Sequence, residues 1–198
     1  MKLYITAPSP YARKCRIVAR EKGLADRVEE IVADPYANDP ALLAANPVVQ
    51  VPTLIAEDGL PLNDSPVICE YLDALGSGPR LLPEDGPDRL RVRRIETLAN
   101  GALEMGVKLV LEKRRPESER SPSWIARWTD NMARALDALE ASDLRADDLH
   151  MGTITAAVAT TWIGFRHPDF DWSRDRPRLA AFTEAMERRP GFVATRPA

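Results

Sequence analysis

The pattern changes at Gly76-Ser77-Gly78-Pro79, and that change restricts the fold more than any other feature of the chain. These four residues suit neither helix nor sheet and read as a linker. Before them, strand and helix patterns alternate. KLYIT places Leu3 and Ile5 on one face of a strand, Arg13 to Lys22 reads as a helix, and RVEEIVA is a second, β-branched strand. DPALLAA follows as a short helix. VPTLIAEDGLPLN then reads as strand, Asp58-Gly59 turn and strand, and SPVICEYLDAL opens a helix at Ser65. The order βαβ, helix, ββα requires a parallel strand pair with a right-handed crossover, so this part is an α/β layer and not a bundle.

After the linker only helices are expected. Residues 89–114 carry Leu90, Leu98, Ala102, Met105, Leu109 and Val110 at roughly helical spacing, and Pro116 ends the run. Trp124, Trp128, Met132, Leu136 and Leu139 form a stripe over residues 123–142. GTITAAVATTWIGF (152–165) is almost uniformly apolar, as a helix buried on all sides must be, and should be the centre of the helical half. A last helix over 178–188 is expected to stop before Pro190-Gly191. The expected domains are residues 1–78 and 79–198.

With 198 residues, 44% of them hydrophobic, the chain has ample material for a buried core. No apolar run approaches the roughly 20 residues of a bilayer span, and MKLYITAPSP lacks the apolar stretch of a secretion signal, so no membrane association and a cytoplasmic address are expected. Cys15 and Cys69 lie inside helical patterns, and His150 and His167 add no ligand spacing, so neither a disulfide framework nor a metal is expected. Net charge is -3, with 7 Lys/Arg against 11 Asp/Glu in residues 1–78. Apolar and acidic residues interrupt the basic runs RLRVRR and EKRRPESER, which read as solvated helix faces, so no nucleic-acid partner is expected.

Three motifs occur in order on this pattern, and they resemble those of the glutathione transferases. NPVVQVPTL (46–54) resembles the family's Asn-Pro-x-Gly-x-Val-Pro segment, and NDSPVICEYL (63–72) its Glu/Asp-Ser-x-x-Ile-x-x-Tyr-Leu segment. SPYARKCR (9–16) is similar to the serine-type first-helix motif of bacterial and zeta-like members, and the tail DWSRDRPRLAAFTEAMERRPGFVAT looks like their last helices. The resemblance covers nearly the whole chain. It implies a thioredoxin-like α/β N-terminal domain (1–78) that binds glutathione and an all-α C-terminal domain (79–198) contributing a hydrophobic substrate site. It also implies a cis Val51–Pro52 bond and a homodimer.

Glutathione brings two carboxylates, an ammonium and a thiol. Under the resemblance, the Val51 backbone N–H and C=O pair with its cysteinyl backbone as an added strand. Ser65 and the helix start meet the γ-glutamyl carboxylate, Asp64 takes the ammonium, and Gln50 reaches the glycyl carboxylate. Ser65 also reads as an ordinary helix cap followed by Pro66, and Ser9-Pro10 likewise. Dithiol oxidoreductases of this fold place Cys-Pro-Tyr-Cys where this chain has Ser9-Pro10-Tyr11-Ala12, so disulfide exchange through an internal pair is chemically impossible. The thiolate would come from glutathione, with Ser9 donating a hydrogen bond to the sulfur. Tyr4 and Tyr11 are the competing hydroxyls, and Cys15 reads as a core residue.

Two positions depart from the family pattern. Val49 stands where a glycine is usual, and Ala156 replaces the acid three residues after Thr153 in the capping box expected to open the buried helix. The expected activity is a glutathione transferase whose thiolate attacks a small hydrophobic electrophile, with Met105, Trp162 and the Ala7-Pro8 turn as possible apolar surface. The alternative is a non-catalytic glutathione-binding carrier or adaptor. A glutaredoxin-like reductase is disfavoured by the absence of both thiols at Ser9 and Ala12.

Overall fold

Leu3 and Leu54, opposite one another in register, are both completely buried, while Tyr4, of opposite parity, is buried with Ala33 and Leu42. A strand covered on both faces in this way is the centre of a layered sheet. The computed structural model, which describes residues 1–197, forms it from β1 (Lys2–Ile5), β2 (Glu29–Val32), β3 (Thr53–Ile55) and β4 (Pro61–Asn63), in the order β2-β1-β3-β4. The pair β1–β2 is parallel and the other two are antiparallel. Asp58-Gly59 makes the expected hairpin turn, with Gly59 at φ 88. Pro61 lies on the edge strand, where its missing N–H costs least.

The helices of this part are α1 (Pro10–Glu21), α2 (Pro40–Ala45) and α3 (Ser65–Leu75). The α1 helix starts three residues earlier than its apolar pattern suggests, because Ser9 caps it and Pro10 supplies a helical φ at the first position. α1 and α3 pack on one another, and the Cys15 and Cys69 sulfurs, 3.7 Å apart, mark the contact. Lys22 and Asp73 form an ion pair of 3.1 Å at the far end of these helices, with side chains only 1% and 2% exposed. Neither charge is left unsatisfied. Lys22 Nζ also donates to the Gly78 and Pro79 carbonyls, and the Asp73 carboxylate accepts from the Leu81 and Leu82 N–H groups. The linker is therefore tied down by charge-assisted bonds. At Gly76 a Cβ would stand 2.5 Å from Lys22 Cβ, so this close approach admits glycine and nothing larger.

The chain divides into two compact units, one comprising Met1–Leu82 and the segment from Arg189 onward, the other Pro83–Arg188. The sequence boundary at 78/79 differs from this in two ways: residues 79–82 stay with Asp73, and the tail returns to the first unit. The helix ahead of Pro190-Gly191 ends at Glu187, before that pair as expected, and Pro190-Gly191 opens a further short turn, α8 (Pro190–Val193). The Arg13 guanidinium, 5.6 Å from the centre of the Phe192 ring, donates to the Phe192 carbonyl at 3.2 Å, and Arg189 pairs with Glu21 at 2.9 Å. No local pattern announces a contact across 179 residues.

The second unit contains α4 (Gly86–Arg114), α5 (Pro122–Glu140), α6 (Met151–Arg166) and α7 (Pro177–Glu187). As expected, α6 is its centre, with every residue from Met151 to Thr160 buried. The edges of the apolar stripes behave differently. Leu90 is 71% exposed, and α5 buries Met132, Leu136 and Leu139 while leaving Trp124 51% exposed and stacked on Trp128. Trp162 is core, packed against His167 and close to Gly106, and Met105 is half-buried.

The expected capping box at Thr153 and position 156 is in fact displaced by three residues. His150 is the N-cap: its Nδ1 accepts from the Thr153 N–H at 3.1 Å, and the Thr153 hydroxyl accepts from the His150 N–H at 2.9 Å. Ala156 is thus inside the helix, fully buried, and no acid is missing.

Replacing Lys22 by Met should strand a buried carboxylate and lower stability by about 3–5 kcal/mol, read from urea denaturation. Burial lowers the His150 pKa against a weaker opposing pull from Asp148, and the unfolded imidazole titrates near about 6.5. The unfolded chain therefore takes up the proton first, so the cap's contribution is complete above that pH and fades as pH falls toward the folded value. His167, also lowered chiefly by burial, acts in the same direction. His150→Asn keeps a capping acceptor and should flatten part of the stability loss between neutral and mildly acidic pH, leaving the His167 share.

Candidate functional site

Thr53 is paired with Tyr4 on one side and Asn63 on the other. This register brings the C-terminal end of β1, the N-terminal end of β3 and the C-terminal end of β4 to one edge of the sheet. The three connections that leave this edge hold Ser9, then Gln50 and Val51, then Asp64 and Ser65. The five residues singled out in the sequence therefore share one end of one sheet.

Ser9 has an extended backbone (φ -75, ψ 120), and its Oγ accepts from the Ala12 N–H at 3.2 Å. It is a true N-cap, half-buried. A hydroxyl that accepts still has its own proton to give, so capping and donation to a ligand coexist. Of the competing hydroxyls, Tyr4 is buried in the cluster with Ala33 and Leu42, and Tyr11 is half-buried in the first turn of α1. Cys15 is no nucleophile: it is fully buried, and burial, reinforced by the neighbouring Cys69 sulfur, pushes its thiol pKa well above the ordinary value.

The Val51–Pro52 bond is cis, as the resemblance implies. Among the described residues, no group takes the Val51 N–H or C=O. The Gln50 side chain is exposed, whereas its carbonyl is doubly engaged, by Asn46 Nδ2 at 3.3 Å and by Thr53 Oγ1 at 2.7 Å. Asn46, 2% exposed, also donates to Thr53 Oγ1 at 3.0 Å and accepts from the Val48 N–H at 3.0 Å. Sequence reasoning passed over Asn46 and Thr53. The signal was present in Asn-Pro, since asparagine side chains bond backbone two residues on.

Val49 keeps the left-handed backbone that a glycine would adopt freely, with φ 52. A β-branched residue is strained there, and the loop holds it with Val49 packed against the Tyr4–Leu42 cluster. Asp64 is likewise at positive φ, 65, and is the residue that occupies the N-cap position of α3. Ser65, expected as a cap, is the first helical residue instead, and its Oγ is buried with no hydrogen-bond partner among the described residues. The Asp64 carboxylate makes no cap bond and stands exposed. An orphan hydroxyl beside helix-start N–H groups is an arrangement chemically suited to an anion.

A family model described as Glutathione S-transferase, N-terminal domain, matches residues 8–75. Over 201 aligned residues the chain is 36% identical to the uncharacterized GST-like protein YibF of Escherichia coli K12, covering 100% of this chain and 98% of that one. The chain belongs to the glutathione S-transferase family. A solved glutathione transferase family member from Pseudomonas fluorescens Pf-5, with bound glutathione, superimposes on this family member with a TM-score of 0.95. The two share 35% identity over 100% of this chain and 98% of the other. Maleylacetoacetate isomerase of Pseudomonas aeruginosa is 31% identical over 146 residues, or 70% of this transferase-family chain and 69% of the isomerase. Among the described residues, no helix is long and apolar enough to cross a membrane.

The strain at Val49 sets an order among its variants. Ala keeps the unfavourable φ and loses the two γ-methyl groups, whereas Gly loses the β-carbon as well but relieves the strain. Val49→Gly should be more stable than Val49→Ala by about 1 kcal/mol in thermal or urea unfolding.

Proposed function

We propose that this protein binds glutathione at the described sheet edge and activates its sulfur as a thiolate for attack on a small hydrophobic electrophile. The observation that carries the reading is the Ser65 hydroxyl, 1% exposed and unpartnered at the start of α3. A buried polar group without a partner costs about 1–3 kcal/mol, which a bound carboxylate would recover. In this reading Ser65 and the first N–H groups of α3 hold the γ-glutamyl carboxylate, and the exposed Asp64 carboxylate takes the ammonium. The free Val51 N–H and C=O pair with the cysteinyl backbone, and the Gln50 side chain meets the glycyl carboxylate. The fold match to a Pseudomonas fluorescens family member solved with glutathione supports glutathione as the ligand.

Ser9 then supplies the chemistry. Its hydroxyl is far too weak an acid to serve as a base, and its role is to donate to the sulfur. A hydrogen bond to a charged group is worth about 1.5–3 kcal/mol. That is enough to raise the thiolate at neutral pH from about 3% of a free thiol to about a quarter or more. The thiolate attacks the electrophilic carbon, a leaving group such as chloride departs, and the thiol proton is lost to solvent. The serine-type, zeta-like subclass, the homodimer and a hydrophobic substrate surface in the helical unit belong to the same proposal. The carrier or adaptor reading has one observation in its favour, the Ser9–Ala12 cap bond, which accounts for a serine at this position without catalysis.

Turnover of a chloronitrobenzene together with glutathione titration separates the two. Ser9→Ala should lower kcat about 10- to 100-fold while shifting glutathione affinity little, and should abolish the ultraviolet thiolate band of the bound peptide. Ser65→Ala should weaken glutathione binding about tenfold or more. Binding without turnover in the unaltered protein would replace the enzyme by the carrier. Unchanged turnover in Ser9→Ala would move the role to another hydroxyl.

A further inference from the structure

We infer that Asn46 is the positioning residue of the backbone-recognition edge, acting with Thr53 through the carbonyl of Gln50; the inference rests on the glutathione reading above. The Gln50 C=O and the Val51 N–H belong to one peptide group. Among the described residues the cis bond is at Val51–Pro52, so the Gln50–Val51 peptide is trans, and its C=O and N–H point in opposite directions. Whatever turns the Gln50 oxygen inward turns the Val51 N–H outward. Two donors do so: Asn46 Nδ2 at 3.3 Å and Thr53 Oγ1 at 2.7 Å.

The chemistry of Asn46 fits this task and few side chains share it. Its amide accepts from the Val48 N–H while donating to both the Gln50 carbonyl and Thr53 Oγ1. Aspartate offers the acceptor without the donors and would bury a charge, and serine has one proton where two are needed. Thr53, completely buried on β3, passes the constraint on: its hydroxyl accepts from Asn46 and donates to Gln50. The Asn46 backbone is anchored as well, its N–H bonded to the Leu42 carbonyl at the end of α2 and its C=O to the Val49 N–H. The orientation of one peptide plane is therefore referred to a helix on one side and to the sheet on the other. A freed plane would rotate, and the strand-like pairing with the ligand would lose its register.

The test compares Asn46→Ala and Thr53→Val with the unaltered protein by glutathione titration calorimetry, steady-state kinetics and thermal melting. Asn46→Ala should raise the glutathione Kd and KM about tenfold, with the loss appearing in KM and not in kcat at saturating glutathione. Thr53→Val, which removes one hydroxyl at nearly constant volume, should act in the same direction by about threefold or more. The double variant should be little worse than Asn46→Ala, because both act through one carbonyl. A merely structural loss would lower the folded, active fraction and hence apparent kcat, with KM unchanged, and that result overturns the inference. So does an unaltered Kd in Asn46→Ala. Should Asn46→Ala fail to melt cooperatively, Thr53→Val decides by the same criterion. Failure of the unaltered protein to bind glutathione is a different result, and it removes the functional reading itself.

Discussion

The pairing of Thr53 between Tyr4 and Asn63 is the constraint on which the rest of the first unit depends. A slip of one residue would turn Leu54 out of the core and bring the loops to different heights. The hydrophobic demand of Leu3 and Leu54, both without solvent exposure, therefore fixes a polar arrangement several residues away. Packing sets the register, and the register sets the site.

Around that register the chain places polar hubs where backbone would otherwise go unsatisfied. Lys22 and Asp73 take up the carbonyls and N–H groups of residues 78–82, and Asn46 takes up those of residues 48–50. Each is almost fully buried and each has its hydrogen-bonding capacity in use. Such groups specify one loop conformation sharply, since any alternative leaves a buried donor or acceptor unmet. The strained backbones at Val49 and Asp64 persist beside these well-determined contacts, as local strain does when its surroundings over-determine it.

The alternation of strand and helix, the Asp58-Gly59 hairpin and the buried α6 were legible because each depends on residues close in sequence. That Ser9, Gln50, Val51, Asp64 and Ser65 lie at one end of the sheet was legible from the strand order and turn chemistry. Other features depended on distant partners and were not. Periodicity identified the stripe on α5 but not that its first two turns leave Trp124 in solvent. The return of the tail to Arg13 has no local trace. His150 escaped because histidine is not among the preferred capping residues, although its neutral ring nitrogen accepts as well as a serine oxygen does. Val49 showed that a valine can be held at a positive φ where the motif has a glycine, under strain.

The two sulfurs at the α1–α3 contact have zero exposure, and that of Cys15 is held protonated by its surroundings. In the folded state the polypeptide is therefore silent toward iodoacetamide and disulfide dyes. Alkylation begins when these two helices part, so its rate is a clock for opening of the first unit.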